Sequence, residues 1–525
     1  GEDGSSAYSV LGLGSDQNST TLNGLSFGGS NLPRDAAVST SLATSPYDVS
    51  RGGFSGAQLS LRARSGSNFS QRTMSFNFAN PAMQWSDVAS QSLGQEYGNM
   101  SLGGGVSGPL VFDKMFYNTS YELTRRSNDF QTLLSNIDPL GLKASGISQD
   151  SVARLLTILN TQTIPAYKGP ASFRDQRYGD RGNLFSSFDL VSPTATSGKA
   201  DNMLVNASWN RQSPAGGQVT ETPAFGGDRS SWNVGTQARH SNYFGIGVLT
   251  ETSAGFSAMK SWSDPFLDLP AGRVRVNSLF PDSSTGVSTL SFGGNPFMNS
   301  EQSATTSQVQ NQLSWFSKNN KHRLKLTSEM RLETANSFSQ NNALGTFTYN
   351  SLADFENNTP ASFSRTLSPR EREIRQLAGG LSLGDSYRRN PTLQIQYGVR
   401  LDGTQYLTLP THNFSLDTLY DLNNRMVPNR IYASPRVGFS WSYGQAAQIG
   451  AFAGACRGPR GVVRGGIGVF QNLPQTQSIG SALDNTGLPS AVQQLTCVGT
   501  ATPTPFWAAY ADEANIPTQC AGAPS

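Results

Sequence analysis

Hydrophobic and polar residues alternate with a period of two along much of the chain. In the segment 392–402 (TLQIQYGVRLD) the odd positions are apolar: Leu393, Ile395, Tyr397, Val399 and Leu401. The even positions of this segment are mainly polar: Thr392, Gln394, Gln396, Arg400 and Asp402. The segments RLKLTSEMRLE, PRVGFSWSY and MLVNASWN repeat the pattern. Such alternation predicts β-strands that have one face in an apolar environment and the other face in water.

The length and spacing of these strands distinguish a membrane barrel from a soluble sandwich, which also alternates. We count about 13 such segments, many of about ten residues or more, which is longer than the usual strand of a soluble sheet. Ten residues that rise ~3.3 Å each at a tilt near 45° span about 23 Å, close to the apolar band of an outer-membrane barrel.

The connections between the strands alternate between tight turns and long loops. Tight turns are predicted at 113–114, 319–321 and 388–391. Long connections are predicted at about 125–180, 211–230, 264–305, 336–370 and 407–432. This asymmetry predicts an all-β, transmembrane antiparallel β-barrel, in which the apolar set of 392–402 faces lipid and the polar set faces the lumen.

Two segments differ from the barrel pattern. Residues 1–67 are rich in glycine and small residues and contain only short strands such as 58–66, so they predict a compact unit that precedes a barrel over 68–525. The segment 148–160 (SQDSVARLLTILN) predicts a short helix with Ser148 as N-cap. Its apolar stripe indicates a helix packed within a loop; a partner-binding helix is the alternative.

Composition and charge narrow the possible functions. Charged residues make up 14% of the chain, well below the ~25% of globular domains, and the 10% of aromatic residues is too high for a disordered polar chain. The net charge of +3 without a basic run argues against a nucleic-acid partner. Three histidines and three cysteines without metal-binding spacing predict no metal site, no cofactor and no catalytic site. We therefore expect a protein that is not an enzyme.

Five stretches, in order, resemble the TonB-dependent outer-membrane receptors. The segment 23–78 resembles the end of a receptor plug, including the residues RSGSNF at 64–69, followed by the first barrel strand. The segments 107–125, 384–402, 433–444 and 462–472 resemble successive barrel strands of the family. The resemblance is strongest to the large, adhesion-type receptors that carry a carboxypeptidase-regulatory-like domain.

This resemblance implies a location in the outer membrane of a Gram-negative (diderm) bacterium and import of a scarce, bulky ligand. It also implies partners: outer-membrane lipids, and the TonB complex of the inner membrane, acting through a region that precedes residue 1. The alternative is a structural or adhesion protein, or a subunit that joins another outer-membrane or surface protein. The ligand itself is not readable from the sequence, because the loops that bind it vary freely.

The resemblance further implies that the chain covers the end of the plug and about 13 of about 22 barrel strands. Unpaired strand edges in lipid cost several kcal/mol for each unsatisfied backbone group. We therefore expect additional strands, from the same polypeptide or from a separate chain, to complete the barrel.

Two sets of side chains are predicted to form specific contacts. In the family, plug arginines hold the plug against inward-facing barrel acids; here the plug charges are Arg34, Asp35, Arg51, Arg62 and Arg64, and the barrel acids are Glu329, Glu333 and Asp402. Solvation of these charges in a wet lumen is the alternative. Cys497 and Cys520 flank a proline-containing segment in a predicted outer loop, where a disulfide would persist, with Cys456 left free. Three unpaired cysteines are the alternative.

Overall fold

The computed structural model begins with a small mixed sheet. It describes residues 17–27, 32–44, 47–83, 97–129, 132–133, 146–167, 176–191, 199–245, 247–368, 370–445 and 459–522. The small sheet contains four strands: β1 (Ser19–Leu22), β2 (Leu25–Ser26), β3 (Val38–Thr44) and β4 (Ala57–Ala63). Their order is β2-β1-β4-β3, in which β1 and β4 are parallel. We call these strands, with the connecting segment 47–54, the plug unit.

A second sheet of 13 strands forms the wall of the molecule. Its strands are β5 (Gln71–Ala79), β6 (Tyr97–Val111), β7 (Met115–Asp129), β8 (Gln176–Val191), β9 (Ala200–Ala215), β10 (Gly227–Tyr243), β11 (Val248–Pro265), β14 (Ser300–Phe316), β15 (His322–Ser339), β18 (Arg370–Asn390), β19 (Leu393–Tyr406), β20 (Arg430–Gln445) and β21 (Pro459–Gly468). Each strand is antiparallel to the neighbour that precedes or follows it in this series. The prediction of about 13 antiparallel barrel strands is therefore confirmed.

The faces of β19 agree with the predicted register. Val399 and Leu401 point outward and keep 42% and 43% of their surface exposed, whereas Arg400 between them points inward and is fully buried. The plug unit lies on the inward side, because Leu22 packs with Phe185 of β8 and Leu204 of β9. The wall thus encloses the plug unit on its polar face and presents its apolar face to the outside.

The long connections fold into a third sheet at one end of the wall. Its strands are β12 (Ala271–Leu279), β13 (Thr285–Gly293), β16 (Thr346–Tyr349), β17 (Ser362–Thr366) and β22 (Gln494–Val498), in the order β13-β12-β16-β17-β22. We call it the outer sheet. It shares a buried core with a helix, α1 (Gln149–Thr161), whose N-cap is Ser148. The predicted loop helix is confirmed, but the outer sheet was not predicted.

The remaining helices are short. They are α2 (Leu352–Glu356), α3 (Phe414–Tyr420) and α4 (Gly480–Asp484), with 3-10 turns at Pro81–Met83, Pro223–Phe225, Thr476–Ile479, Gly499–Ala501, Trp507–Ala509 and Glu513–Asn515. Within the described ranges, no helix has the length and apolar character needed to cross a membrane.

Candidate functional site: the contact between plug and wall

The segment 47–54 of the plug unit rests on a floor of glycines. A β-carbon on Gly438 of β20 would lie 2.3 Å from the ring of Tyr47, and one on Gly466 of β21 would lie 2.6 Å from it. Val49 packs in the same way on Gly384 and Gly398, where a β-carbon would lie 2.6 and 2.7 Å from its methyl group. Each pair of glycines is directly opposed across two neighbouring strands: Gly384 with Gly398, and Gly438 with Gly466.

The sequence contains a signal for this contact in these glycines, although the alternation of polar and apolar residues alone does not reveal it. Glycine weakens a strand, so its presence within a strand often marks the close approach of another backbone. Four glycines on the inward faces of β18–β21 fit that reading, because any side chain there would displace the plug segment.

Two cations of the wall bind the same plug segment. Lys325 of β15 pairs through Nζ with Oδ2 of Asp48. Arg436 of β20 donates from Nη1 to the carbonyl oxygens of Arg51 at 2.7 Å and of Asp48 at 3.4 Å. The wall therefore contributes the positive groups of this contact, and the plug contributes a carboxylate and two carbonyls.

The environment of Asp48 favours its ionised form. Burial alone would raise the pKa of this carboxyl, but the charge and hydrogen bond of Lys325 and the hydrogen bonds from Ser50 outweigh it and lower the pKa. Ser50 donates to Oδ1 from its hydroxyl at 2.7 Å and from its backbone N–H at 3.0 Å. The contact is thus built around a carboxylate that stays charged.

This geometry predicts a pH-dependent contribution to stability. An aspartate whose pKa is lowered on folding stabilises the folded protein at pH values above the pKa of free aspartate, about 4. This stabilisation is lost as the pH falls through the lowered pKa. At pH 7 we expect Asp48→Asn to cost about 1–2 kcal/mol in urea unfolding. The difference from the unsubstituted protein should shrink as the pH is lowered toward about 2.

The exposed Asp264 offers a matched control for this experiment. Asp264→Asn should change stability by less than about 0.5 kcal/mol at all of these pH values. A cost of Asp48→Asn that persists unchanged in acid would mean that packing, not charge, accounts for it.

A cluster of one buried arginine and two acidic residues lies under the plug segment: Arg400, Glu329 and Asp402. We call it the arginine cluster. Nε of Arg400 donates to Oδ1 and Oδ2 of Asp402 at 2.8 and 3.0 Å, and its Nη2 donates to Oε1 of Glu329. Gly380 of β18 lies between Glu329 and Asp402 in the sheet, and a β-carbon there would lie 2.4 Å from the guanidinium. Gly52 covers the cluster from the plug side, where a β-carbon would lie 2.1 Å from Nε of Arg400.

The predicted pairing of plug arginines with barrel acids is wrong in this structure. Glu329 and Asp402 pair with Arg400 of the wall, and Glu333 lies 3.8 Å from its neighbour Arg331. Among the ion pairs between described residues, none joins these acids to plug arginines; Arg62 and Arg64 are exposed, and Arg51 contributes its carbonyl. Two arginines on the inward face of the wall, Arg331 and Arg400, lie closer to these acids than the plug arginines do. The acids therefore pair with the wall arginines.

Other predicted plug charges contact the wall through their backbone or at its edge. The N–H of Arg34 donates to Oε2 of Glu122 at 3.1 Å, and Asp35 accepts from the hydroxyl of Ser75 at 3.5 Å. The amide of Gln308 and the backbone of Ser26 exchange two hydrogen bonds of 2.9 and 3.0 Å. The plug unit is therefore held along its length by hydrogen bonds to the inward face of the wall.

A single segment connects the plug contact with the outer sheet. After β21 the chain leaves the wall: Asn472 forms a parallel bridge with Gly53, and the ring of Phe470 lies 6.3 Å from that of Phe54. The segment then follows the inward face, where Gln376 donates to the carbonyl of Pro474 at 3.1 Å. It ends in β22, which pairs with β17 of the outer sheet. We call residues 469–493 the strap.

The outer end of the chain contains a disulfide in the structure. Cys497 of β22 is bonded to Cys520, and their Cα atoms are 5.4 Å apart. Cys456 lies outside the described residues. We expect an unreduced digest to yield the two peptides as one linked mass, and the loop between them to resist proteolysis until a reductant is added. Two separate peptides with free thiols would contradict this prediction.

No reaction centre is apparent in the part of the chain that the structure describes. Each of the three histidines has an aspartate partner: His240 with Asp201 and His322 with Asp385 at 2.5 and 2.6 Å, and His412 with Asp417 at 3.4 Å. The described residues contain no group of three or more side chains that could hold a metal ion.

The fold and the plug contact together define an outer-membrane β-barrel protein. Residues 63–524 match the family described as "outer membrane beta barrel domain", and because the match covers most of the sequence, the chain belongs to this family. It is located in the outer membrane of a Gram-negative bacterium. No curated protein matches the sequence.

Solved structures of receptors and transporters are similar in fold. The outer membrane transporter YddB from Escherichia coli is 12% identical, with a TM-score of 0.50; the match covers 82% of this chain and 52% of that one. A mutant ferric enterobactin receptor, PfeA, from Pseudomonas aeruginosa is 11% identical, with a TM-score of 0.50 and coverage of 93% and 59%. The chain thus spans less than two thirds of either protein, and at these identities the likeness concerns the fold.

Proposed function

We propose that the chain is part of a TonB-dependent receptor that imports a scarce, bulky ligand across the outer membrane. The main observation that supports this proposal is the position of the plug segment 47–54. It lies inside the wall on a glycine floor and is held by Lys325 and Arg436. Contacts of this kind hold a plug closed yet involve few groups, so a pull on the plug can release them one after another. The adhesion-type subfamily with a regulatory-like domain is part of the proposal.

The energy source follows from the same arrangement. A barrel in the outer membrane has no nucleotide supply of its own, so displacement of the plug requires work from the inner membrane. We propose that the TonB complex supplies it by pulling on chain that precedes the plug unit. The protein then acts as a transporter and not as an enzyme.

The test follows the plug segment in living cells. Val49 is 3% exposed against the glycine floor, so Val49→Cys in the full-length protein, with Cys456→Ser, should react with a thiol reagent only when the plug moves. We expect labelling in cells with functional TonB during growth in a medium that supplies the ligand, and little in cells without TonB. The exposed Ser65 provides the control, since Ser65→Cys should react equally in both.

A structural or adhesion function is the second candidate, and the outer sheet favours it. Loops from four places in the chain join there in one core that includes Phe292, Phe347, Phe363 and Trp507, and a disulfide closes its end. Such a unit would present a fixed surface to a partner protein. Labelling of Val49→Cys that is equal with and without TonB would reject the transporter and favour this second function.

A further inference from the structure

The short-turn end of the wall carries six exposed cations. They lie in or beside the turns that follow β6, β8, β14 and β18, and we call them the rim cations: Lys114, Lys199, Lys318, Lys321, Arg388 and Arg389. Short turns of an outer-membrane barrel lie on the periplasmic side. The positive charge on this edge forms two groups: Lys114 with Lys199, and Lys318 and Lys321 with Arg388 and Arg389 on the next turn, where the N–H of Arg388 donates to the carbonyl of Lys321 at 2.7 Å. Strands β10 and β11 separate the two groups.

Acidic side chains near this edge are already engaged. Asp113 accepts from the side-chain amide of Asn68 at 2.5 Å, Asp385 is bound by His322 and Tyr397, and Asp189 accepts from Gly66 and Asn202. None of the ion pairs found among the described residues includes a rim cation. On the long-loop side, by contrast, Lys260 and Arg372 are paired with Glu301 and Asp484.

The height of the rim cations in the membrane is set by neighbouring aromatic residues. Trp315, Tyr397 and Trp441 lie on the outward face near the short turns and remain 40–48% exposed. Tryptophan and tyrosine at such positions lie at the level of the lipid headgroups. The rim cations follow these aromatic residues toward the periplasm, so they are at the depth of the headgroup phosphates.

We propose that the rim cations bind the phosphate groups of anionic phospholipids, such as phosphatidylglycerol, in the periplasmic leaflet. A continuous layer of headgroups contacts both groups of rim cations at once, whereas a compact protein partner would contact one of the two groups. Basic residues near an anionic membrane surface each contribute about 1 kcal/mol, equal to about a fivefold change in binding. The rim would therefore fix the depth of the barrel and enrich anionic lipid around it.

Native mass spectrometry of the full-length protein tests the proposal. Protein in mild detergent is mixed with phosphatidylglycerol and phosphatidylethanolamine, and the lipids it retains are counted. We expect preferential retention of phosphatidylglycerol, reduced about fivefold or more in the variant Lys318→Gln, Lys321→Gln, Arg388→Gln, Arg389→Gln. The preference should also fall at about 1 M salt, where charges are screened within about 3 Å.

A matched variant on the opposite side controls for loss of charge. Arg425 and Arg430 are exposed near the outer end of β20, so Arg425→Gln with Arg430→Gln should leave retention unchanged. Equal retention by the rim variant and the unsubstituted protein would overturn the proposal, as would an equal loss in the outer control. If the rim variant retains lipid as the unsubstituted protein does but no longer binds purified peptidoglycan, the proposal is overturned in favour of a cell-wall partner. If the rim variant does not fold, the salt dependence of lipid retention by the unsubstituted protein is the test. A preference for phosphatidylglycerol that is unchanged at about 1 M salt would overturn the proposal.

Discussion

Replacing Arg400 by methionine is expected to destabilise the barrel by about 3–5 kcal/mol. The guanidinium is fully buried and compensates the carboxylates of Glu329 and Asp402. Without it, two like charges remain near each other, and the side chain of Asp402, which is only 5% exposed, cannot reach bulk water easily. The change is measured by urea unfolding of the protein in detergent. The readout is the loss of the compact, heat-resistant form on gels.

Two further variants separate charge from packing in this experiment. Arg389→Met removes an exposed arginine from the end of the neighbouring strand and should cost less than about 0.5 kcal/mol. Adding Glu329→Gln and Asp402→Asn to Arg400→Met removes the uncompensated charges, and we expect part of the lost stability to return. A triple variant that is no more stable than Arg400→Met would contradict the electrostatic explanation.

The arginine cluster also shows where sequence reasoning succeeded and where it failed. The alternation in 392–402 correctly placed Arg400 and Asp402 on the inward face, two residues apart, which was a sufficient signal for their pairing. The contribution of Glu329 could not be foreseen in the same way, because it depends on the register of three strands and on the absence of a side chain at Gly380. The resemblance to the family instead predicts a pairing of these acids with plug arginines, which the structure does not contain.

Local signals were reliable, and non-local ones were not. The helix over Gln149–Thr161 follows from its own N-cap and apolar stripe, so the sequence alone predicts it. The sequence does not predict the pairings of β16 and β17 in the outer sheet, because these strands contain only four and five residues and their partners β12 and β22 are distant in sequence. Short strands of this kind carry too little alternation to be distinguished from loops.

The contact between plug and wall can be predicted from the sequence only in part. The alternation in RLKLTSEMRLE puts Lys325 on the same face as the inward-facing Glu329, but nothing in the sequence relates Lys325 to Asp48, 277 residues away. The position of the plug segment depends on the inward faces of β15 and β18–β21, which come together only when these strands pair. The glycine pairs in β18–β21 were the one local indication that a second backbone approaches this part of the wall.

The strap gives the plug contact a consequence for the outer surface. Its first residues bind Gly53 and Phe54 of the plug, its middle lies on Gln376 and Tyr406 of the wall, and its last residues lead into β22. A displacement of the plug segment therefore acts on the same stretch of chain that holds the edge of the outer sheet. In the proposed transporter, this arrangement connects the loops that meet the ligand with the plug that admits it.

A charge on the outward face at the middle of β19 is expected to have the second-largest effect. Val399 faces lipid beside Leu383, so Val399→Arg should cost about 2–4 kcal/mol, because the guanidinium would leave water for the apolar band. Gln396→Arg, on the inward face of the same strand, adds the same charge beside the wet lumen and should cost less than about 1 kcal/mol. Unfolding in lipid vesicles measures both variants, and single cysteines at 399 and 396 provide a second readout with a water-soluble thiol reagent. If position 399 reacts and position 396 does not, or if the two arginine variants lose equal stability, then the register of β19 is inverted and its apolar face does not contact lipid.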